Sequence, residues 1–505
     1  MRLSIFRVAL LACFSLTAAN VTHGYEIVNH ADMSQESALL SVFGKDTGPS
    51  GKAFRLGLKP RVITDPVQTF PLQPNFPDIR ECFGEVKDKD GNVIATGVQP
   101  LSRDQYQIAQ LFRYGACFED NESIATGLRP LAHFYDPQHG GSGINGGPSS
   151  PDWMLTRTGY TNATQENHFT YMDARDAFYK ALTRNNAGGA NTPADRALDR
   201  REQWAVTFQS LGHVVHHLQD MAQPQHVRND DHCDATIKCG LLGKYKPSAY
   251  EKYLQSRADF VRGLASLATT PIVFGLPREF WSMQGNTITG HFPANQGIAA
   301  YTATNFVSAG SDFTLERVGT ASVPKPAYDF AFPVPAPQSN DVTLATLFQG
   351  TAASDTTFIR DQLCAGDLAN CKMRFYGSDV ERGARKSSVS LFSQDLLGGG
   401  NGPPAGRPKF FTQNYWTYAE AAGELIPKAV EYSAGLINYF FRGEMEISSP
   451  GEGVYGIVDH AVTNAKGDGY KLIKMKVKNT TADITTAVTP TRPTGLSNQD
   501  MTAGQ

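Results

Sequence analysis

The stretch from Leu211 to Asp230, LGHVVHHLQDMAQPQHVRND, holds residue types that can grip a metal ion. His216 and Asp220 are four apart, and His226 follows six later. On a helix, positions i and i+4 share a face one turn apart, so His216 and Asp220 can take one ion between them. Pro224 ends such a helix and turns His226 back toward it. Imidazole nitrogen with carboxylate oxygen is a zinc donor set. Spacing alone leaves a second reading, a histidine-rich surface helix with a capping aspartate. His213 and His217 form another i, i+4 pair beside the His216 face, which predicts supporting or surface positions for both.

Four further residues are ordinary when taken singly. His133 lies in LAHFYDP after a glycine-containing loop, and His30 lies five past Tyr25 at the start of a first helix. Each alone reads as a partly buried or surface histidine. Glu251 opens a helix in SAYEKY, where an acid favours the helix dipole. Asp120, at the end of GACFED, reads alone as a solvated loop acid. His139, His168, His291 and His460 have no matching context and read as structural or solvent-facing.

The elements that must position these groups are mostly helices. Helical periodicity predicts helices over 33–43, 103–113, 170–183, 194–221, 248–268 and 415–441. Breaker-rich segments lie between them, above all 270–406, which includes the GGGNGPP run at 398–404 and reads as loop or flap. Past Gly443, the stretches 454–462 and 470–477 flank Gly467-Asp468-Gly469 as a β-hairpin signal. The roughly 60 residues left there are thin for a β-sandwich, so an incomplete β module with a flexible tail is expected. With 41% hydrophobic and 19% charged residues, the 505-residue chain can bury at least one large core. The 47 glycines and 29 prolines imply long connections. A formal charge of −3 without a long run of either sign lends no electrostatic support to a polyanion partner.

Residues 1–24 read as a secretory signal: Arg2 and Arg7, a short apolar stretch over 8–16, then small residues. Leu10-Leu11-Ala12-Cys13 also loosely resembles a lipoprotein cleavage box, with a very short apolar stretch before Cys13. No later segment offers about 20 uninterrupted apolar residues. Six cysteines remain after Cys13 leaves with the signal, and in an oxidising compartment they read as disulfides. Proximity favours Cys233–Cys239 and Cys364–Cys371, leaving Cys82–Cys117.

Taken together, the candidate residues resemble the zinc-dependent phospholipase C and fungal single-strand nuclease superfamily, secreted and mainly helical enzymes with a three-zinc cluster. Three matches carry the resemblance: the histidine, aspartate and Pro-x-His run in 211–230; His133-Phe-Tyr-Asp-Pro137, nearly verbatim for the phospholipase branch; and the spacing of five from Tyr25 to His30. It covers roughly residues 25–265 and the 415–441 helix. It implies one zinc on His133, His216 and Asp220. A second zinc would share Asp220 and take His30 and the terminal amine and carbonyl of Tyr25. His226 and Glu251 would hold a third. Asp120 would orient or deprotonate the attacking water, with Glu119 as the fallback if the loop alignment slips by one. The family's other third-zinc histidine falls on Pro247, and His232, six past His226, would substitute for it by reaching back. Zinc lowers the pKa of a bound water to about 7 and clamps an in-line phosphoryl displacement.

The expectation is therefore a mainly α, phospholipase C-like domain over 25–445 with a loop-rich insert at about 270–410, followed by a β-rich segment over 446–505. It would be a secreted or periplasmic monomer using two or three zinc ions to hydrolyse a phospholipid or related phosphodiester, with peripheral membrane contact. The alternatives are a single-strand nuclease or nucleotidase on the same cluster, and a non-catalytic binding protein with a degenerate metal site. Choline recognition by aromatic residues finds no support, since Asn121 and Pro130 stand where aromatics would be expected. Extending the chain before Tyr25 should lower its metal content by elemental analysis; unchanged zinc and activity would overturn the Tyr25 assignment.

Overall fold

A single long helix, Pro193–Asp220, forms where the sequence predicts one, and several other helices pack against it. The computed structural model describes residues 27–44, 56, 70–71, 82, 85–87, 93–96, 105–120, 129–137, 141, 143–144, 147–156, 167–183, 193–230, 248–282, 297–308, 313–318, 321–326, 338–350, 364, 366–377, 385–389, 411–449, 456–458, 470–473 and 475–481. Residues 1–24, Tyr25, His232, Pro247, Cys233 and Cys239, the GGGNGPP run, His139, His291 and His460 lie outside the described residues.

Among the described residues the helices of six or more residues are α1 (Ile27–Leu40), α2 (Ile108–Glu119), α3 (Ser150–Leu155), α4 (Tyr171–Thr183), α5 (Pro193–Asp220), α6 (Ala249–Gln255), α7 (Ala258–Ala265), α8 (Ile298–Asn305) and α9 (Tyr418–Phe440). The expected mainly α fold is observed. Helix α5 packs on α2 and α4, and α1 packs on α2 and α9. One continuous core joins them, with Phe43, Phe112, Trp204, Phe208 and Phe441 among its buried aromatic rings. Among the described residues, no helix is long and apolar enough to cross a membrane.

Three local differences from the expected elements have identifiable causes. The helix expected from 103 begins only at Ile108, after a strand at Gln105–Tyr106, because the Gln107 amide donates to Gln110 Oε1 at 2.9 Å in a capping box. It then runs on to Glu119, so Asp120 is its C-terminal cap and is buried, correcting the reading of a solvated loop acid. The helix expected over 248–268 is two, α6 and α7. At the break, the Ser256 hydroxyl and the Arg257 guanidinium both donate to the Tyr253 carbonyl, at 3.1 and 2.9 Å, in competition with the helical backbone.

The segment expected to be loop contains more order than its composition suggests. Strands Gln338–Thr343, Lys372–Gly377, Ser387–Val389 and Phe411–Thr412 form a four-stranded antiparallel sheet in chain order. Its own small core is built on Leu344, Met373 and Phe375. Lys386 Nζ lies 2.6 Å from Glu424 Oε2, an ion pair between this segment and α9. Past Gly443, Met445–Ser448 pairs with Lys476–Asn479 and Gly456–Val458 with Tyr470–Ile473, so the expected hairpin exists with its second strand divided. Two of the expected cysteine pairs, Cys82–Cys117 and Cys364–Cys371, are joined, with Cα atoms 5.8 and 5.4 Å apart.

Two contacts set the geometry near the C-terminus of α5. Gly115 on α2 faces Gly212 on α5 so closely that a Cβ on Gly212 would sit 2.6 Å from the Phe112 carbonyl oxygen. A Cβ on Gly115 would come within 2.1 Å of the Gln209 carbonyl oxygen. Helix α1 is held separately by Asp32, which is buried and paired with Arg113 on α2 and with Arg262 Nη2 of α7 at 3.0 Å. Gly212→Ala should lower stability by about 1–3 kcal/mol, because backbone rather than a flexible side chain must move. Urea unfolding of the full chain checks this, and an unchanged midpoint would contradict the close-contact argument.

Candidate metal centre

The last two turns of α5 are buried on every side, including His213, His216, His217, Gln219 and Asp220. Burying so many polar groups is unfavourable unless each finds a partner, which rules against the surface-helix reading. Helix α5 stops at Asp220, and hydrogen bonds from the Gln223 amide to the Asp220 carbonyl and from the His226 amide to the Gln223 carbonyl carry the chain through Pro224. The 3₁₀ turn His226–Arg228 then ends at Asn229 with φ of 48°, a left-handed conformation that asparagine tolerates. His226 is thereby returned to the end of α5, as the Pro224 argument expects.

The other groups arrive from separate elements. His30 comes from the first turns of α1, and Glu119 with Asp120 from the end of α2. His133 closes a short 3₁₀ turn over Pro130–His133. That turn is tied to the His226 segment by the Tyr135 amide, 3.0 Å from the His226 carbonyl. Glu251 sits in the first turn of α6 in a capping box with Ser248, so the helix-start reading of this residue holds. Its other oxygen, Oε1, lies 3.3 Å from His226 Nε2.

All seven described candidates converge. Asp220 Oδ2 is 2.7 Å from His133 Nδ1 and 3.5 Å from His216 Nε2, while its Oδ1 is 3.3 Å from His30 Nε2. Asp120 Oδ1 is 3.6 Å from His216 Nε2 and 3.8 Å from His133 Nε2. Two triads, His133–His216–Asp220 and His30–Asp120–His216, have donor atoms mutually within 4.8 Å and can hold a metal ion. Tyr25 and His232 lie outside the described residues, so the structure neither adds nor removes them.

The orientation of the rings follows a rule common to metal-binding histidines, in which one nitrogen is anchored and the other faces the ion. His216 Nδ1 lies 2.7 Å from the Ala116 carbonyl, and His226 Nδ1 lies 2.9 Å from the His133 carbonyl. A carbonyl only accepts, so each Nδ1 carries a proton and donates it. In its neutral form each ring has a lone pair on Nε2, and both Nε2 atoms face carboxylate oxygens. Lone pairs pointed at negative oxygens repel unless a cation or proton lies between them. The Gly115–Gly212 approach is what brings the Ala116 carbonyl within reach of His216.

The electrostatics reinforce this. Glu119, Asp120, Asp220 and Glu251 are all buried, and both α2 and α5 end here, turning their partially negative C-termini inward. Burial pushes the Asp120 carboxyl well above its usual range, and the charges of Asp220, Glu119 and Glu251 push it further. Its Oδ2 atom has no hydrogen-bond partner among the described residues. Burial opposes ionisation of Asp220, but the surrounding His216, His226 and His133 outweigh it and hold Asp220 well below the ordinary value. Burial also opposes the charge on His226, yet Asp220 and Glu251 raise it.

Glu119 has a different role from the one the sequence offers it as fallback base. Both its oxygens accept from Arg129 Nη1, at 2.5 and 2.6 Å, while His213 Nδ1 is 2.5 Å from Oε2 and His217 Nε2 is 3.0 Å from Oε1. Burial alone would raise Glu119, but Arg129 and the two histidine hydrogen bonds hold it well below the usual carboxylate range. The donor atoms of Glu119, His133 and His217 also lie within 4.8 Å of one another. Arg129 already supplies the positive charge there, so this group reads as a support. His213 and His217 are accordingly buried supports, and the surface alternative for them is excluded; His217 stacks on His133 with centroids 4.3 Å apart. His168 is exposed, as expected. Arg129 and Gln219 escape the sequence reading because neither has a spacing relation to its partner.

Comparison with family models, curated proteins and solved structures finds no match for this chain.

The pH response of the chelated protein follows from His133, whose neutral form is favoured by burial and by neighbouring His217, drawing its pKa down to about 4. With an unfolded value near 6.5, its contribution to stability is complete above that pH and is lost as pH falls through 4. Relative to His133→Asn, the metal-free wild type should lose on the order of 3 kcal/mol between those pH values, read by urea unfolding. Parallel pH profiles for the two proteins would contradict this.

Proposed function

We propose that this chain is an exported zinc-dependent phosphodiester hydrolase of phospholipase C type, with a phospholipid or related phosphodiester as substrate. The observation that carries the reading is the tautomer pattern: His216 and His226 each donate through Nδ1 to a backbone carbonyl while Nε2 faces buried carboxylates. Such an arrangement suits a cation far better than an empty polar core. Nitrogen with carboxylate oxygen favours zinc among the common divalent ions. The leader and the Cys82–Cys117 and Cys364–Cys371 bridges support export.

Zinc at this position would supply Lewis acidity to a phosphoryl oxygen and a nucleophilic water at neutral pH. The chain's own contribution is to hold and relay protons around that event. Asp220 offers one oxygen toward His133 and His216 and the other toward His30, so it can bridge two ions. Asp120, with Oδ2 unengaged, can accept the proton of an attacking water, and a neighbouring cation would draw its raised pKa down into that role. Glu119 cannot substitute, because Arg129, His213 and His217 already occupy both its oxygens.

The purified full chain should contain two or three zinc ions and hydrolyse a phosphodiester. A choline phospholipid, a second phospholipid and single-stranded DNA assayed side by side decide between the phospholipase reading and a nuclease on the same cluster. Asp120→Asn, assayed at a zinc content matched to the wild type, should lower kcat by about 10²–10⁴-fold, the usual range for loss of a general base. Less than one zinc per chain, or turnover unaffected by Asp120→Asn, would overturn the proposal.

A further inference from the structure

We infer that Gln219 is a positioning residue for this centre, setting which nitrogen of His30 faces Asp220. The inference rests on the cation reading above and concerns the His30–Asp220 half of the site. Gln219 Oε1 lies 2.9 Å from His30 Nδ1, and its Nε2 donates to Ser34 Oγ at 2.9 Å. His30, Ser34, Gln219 and Asp220 are all fully buried. On the far side of the ring, His30 Nε2 is 3.3 Å from Asp220 Oδ1, and the ring stacks on His216 with centroids 3.8 Å apart.

His216 and His226 are anchored by backbone carbonyls, acceptors that no side-chain substitution removes. His30 instead faces an amide, which can present either oxygen or NH₂. With the oxygen toward Nδ1, the imidazole proton resides on Nδ1 and the Nε2 lone pair is available to an ion shared with Asp220. With the amide reversed, Nδ1 would accept, the proton would move to Nε2, and the ring would make only a hydrogen bond to Asp220. In the structure the amide oxygen faces His30 Nδ1 and the NH₂ faces Ser34 Oγ, which is the first state. Gln219 immediately precedes Asp220 on α5, and Ser34 lies one turn beyond His30 on α1. The pair of bonds therefore joins the two helices at the point where their ligands meet.

The test uses the full chain with histidine labelled by ¹⁵N, and zinc affinity measured by chelator competition. In the metal-free wild type at a pH where His30 is neutral, its ring should carry the proton on Nδ1. Gln219→Leu should shift that proton toward Nε2 and weaken one class of bound zinc by about 10–100-fold, the range typical for loss of an outer partner. Gln219→Glu, which keeps an oxygen toward Nδ1, should restore binding. A wild-type proton on Nε2, or wild-type zinc affinity in Gln219→Leu, overturns the inference. If Gln219→Leu does not fold, Gln219→Met, which keeps the length and removes the oxygen, decides. Weakened binding of the same zinc class supports the assignment, and unchanged affinity overturns it. A wild-type chain that binds no zinc refutes the cation reading instead, while the proton position on His30 still reports separately on Gln219.

Discussion

Glu119, Asp120, Asp220 and Glu251 are buried in one helical core, and the Arg129 guanidinium pairs with the first of them. Concentrating that much negative charge away from water is costly unless positive groups are brought in with it. The histidines around the end of α5 answer part of the demand. The remainder is localised at Asp120 and Asp220, beside ring nitrogens whose lone pairs point the same way. The structure thus divides its polar interior into a half centred on Glu119, with both oxygens engaged, and a half around Asp220 and Asp120, where Asp120 Oδ2 has no hydrogen-bond partner among the described residues. The first supports His133 through His217; the second is where an ion fits.

That division depends on how closely two helices approach. Without side chains at Gly115 and Gly212, α2 and α5 touch backbone to backbone, and the Ala116 carbonyl reaches His216. Helix α1 is locked independently by Asp32 between Arg113 and Arg262, two residues from His30. The extended turn after Asp220 closes the opposite side with His226, whose ring is anchored on His133's own carbonyl. Each candidate ligand is therefore placed by an element whose position is set by packing elsewhere. Such preorganisation is what metal and catalytic sites require of their scaffold.

Much of this is legible in the sequence, and the reason is locality. The His216–Asp220 relation is an i, i+4 spacing inside a strongly periodic helix. Pro224 announces the turn that returns His226, and Ser248 with Glu251 is a capping signature. The pairing of Cys82 with Cys117 follows from the proximity of the other cysteines. What escapes is nonlocal. The Glu119–Arg129 pair crosses a segment with no periodicity. The four-stranded sheet beyond 338 arises in a region whose glycines and prolines mask its short strands. Asp120 looks like a loop acid because helix α2 starts later and ends later than its apolar pattern alone suggests.

Residue type and short-range spacing, by themselves, determined that this chain is mainly helical and that histidines and acids gather at the end of one helix, since helix geometry ties neighbours four apart to one face. Only the tertiary structure decided which of those groups are ligand-like and which are supports. Glu119 and Asp120 are adjacent in sequence, yet one is neutralised by Arg129 and the other has an oxygen with no hydrogen-bond partner among the described residues. His30 and Gln219 are 189 residues apart, and their contact exists only because α1 packs against α5. Proton position and charge balance in a buried site depend on every partner within a few ångströms, and those partners come from anywhere along the chain.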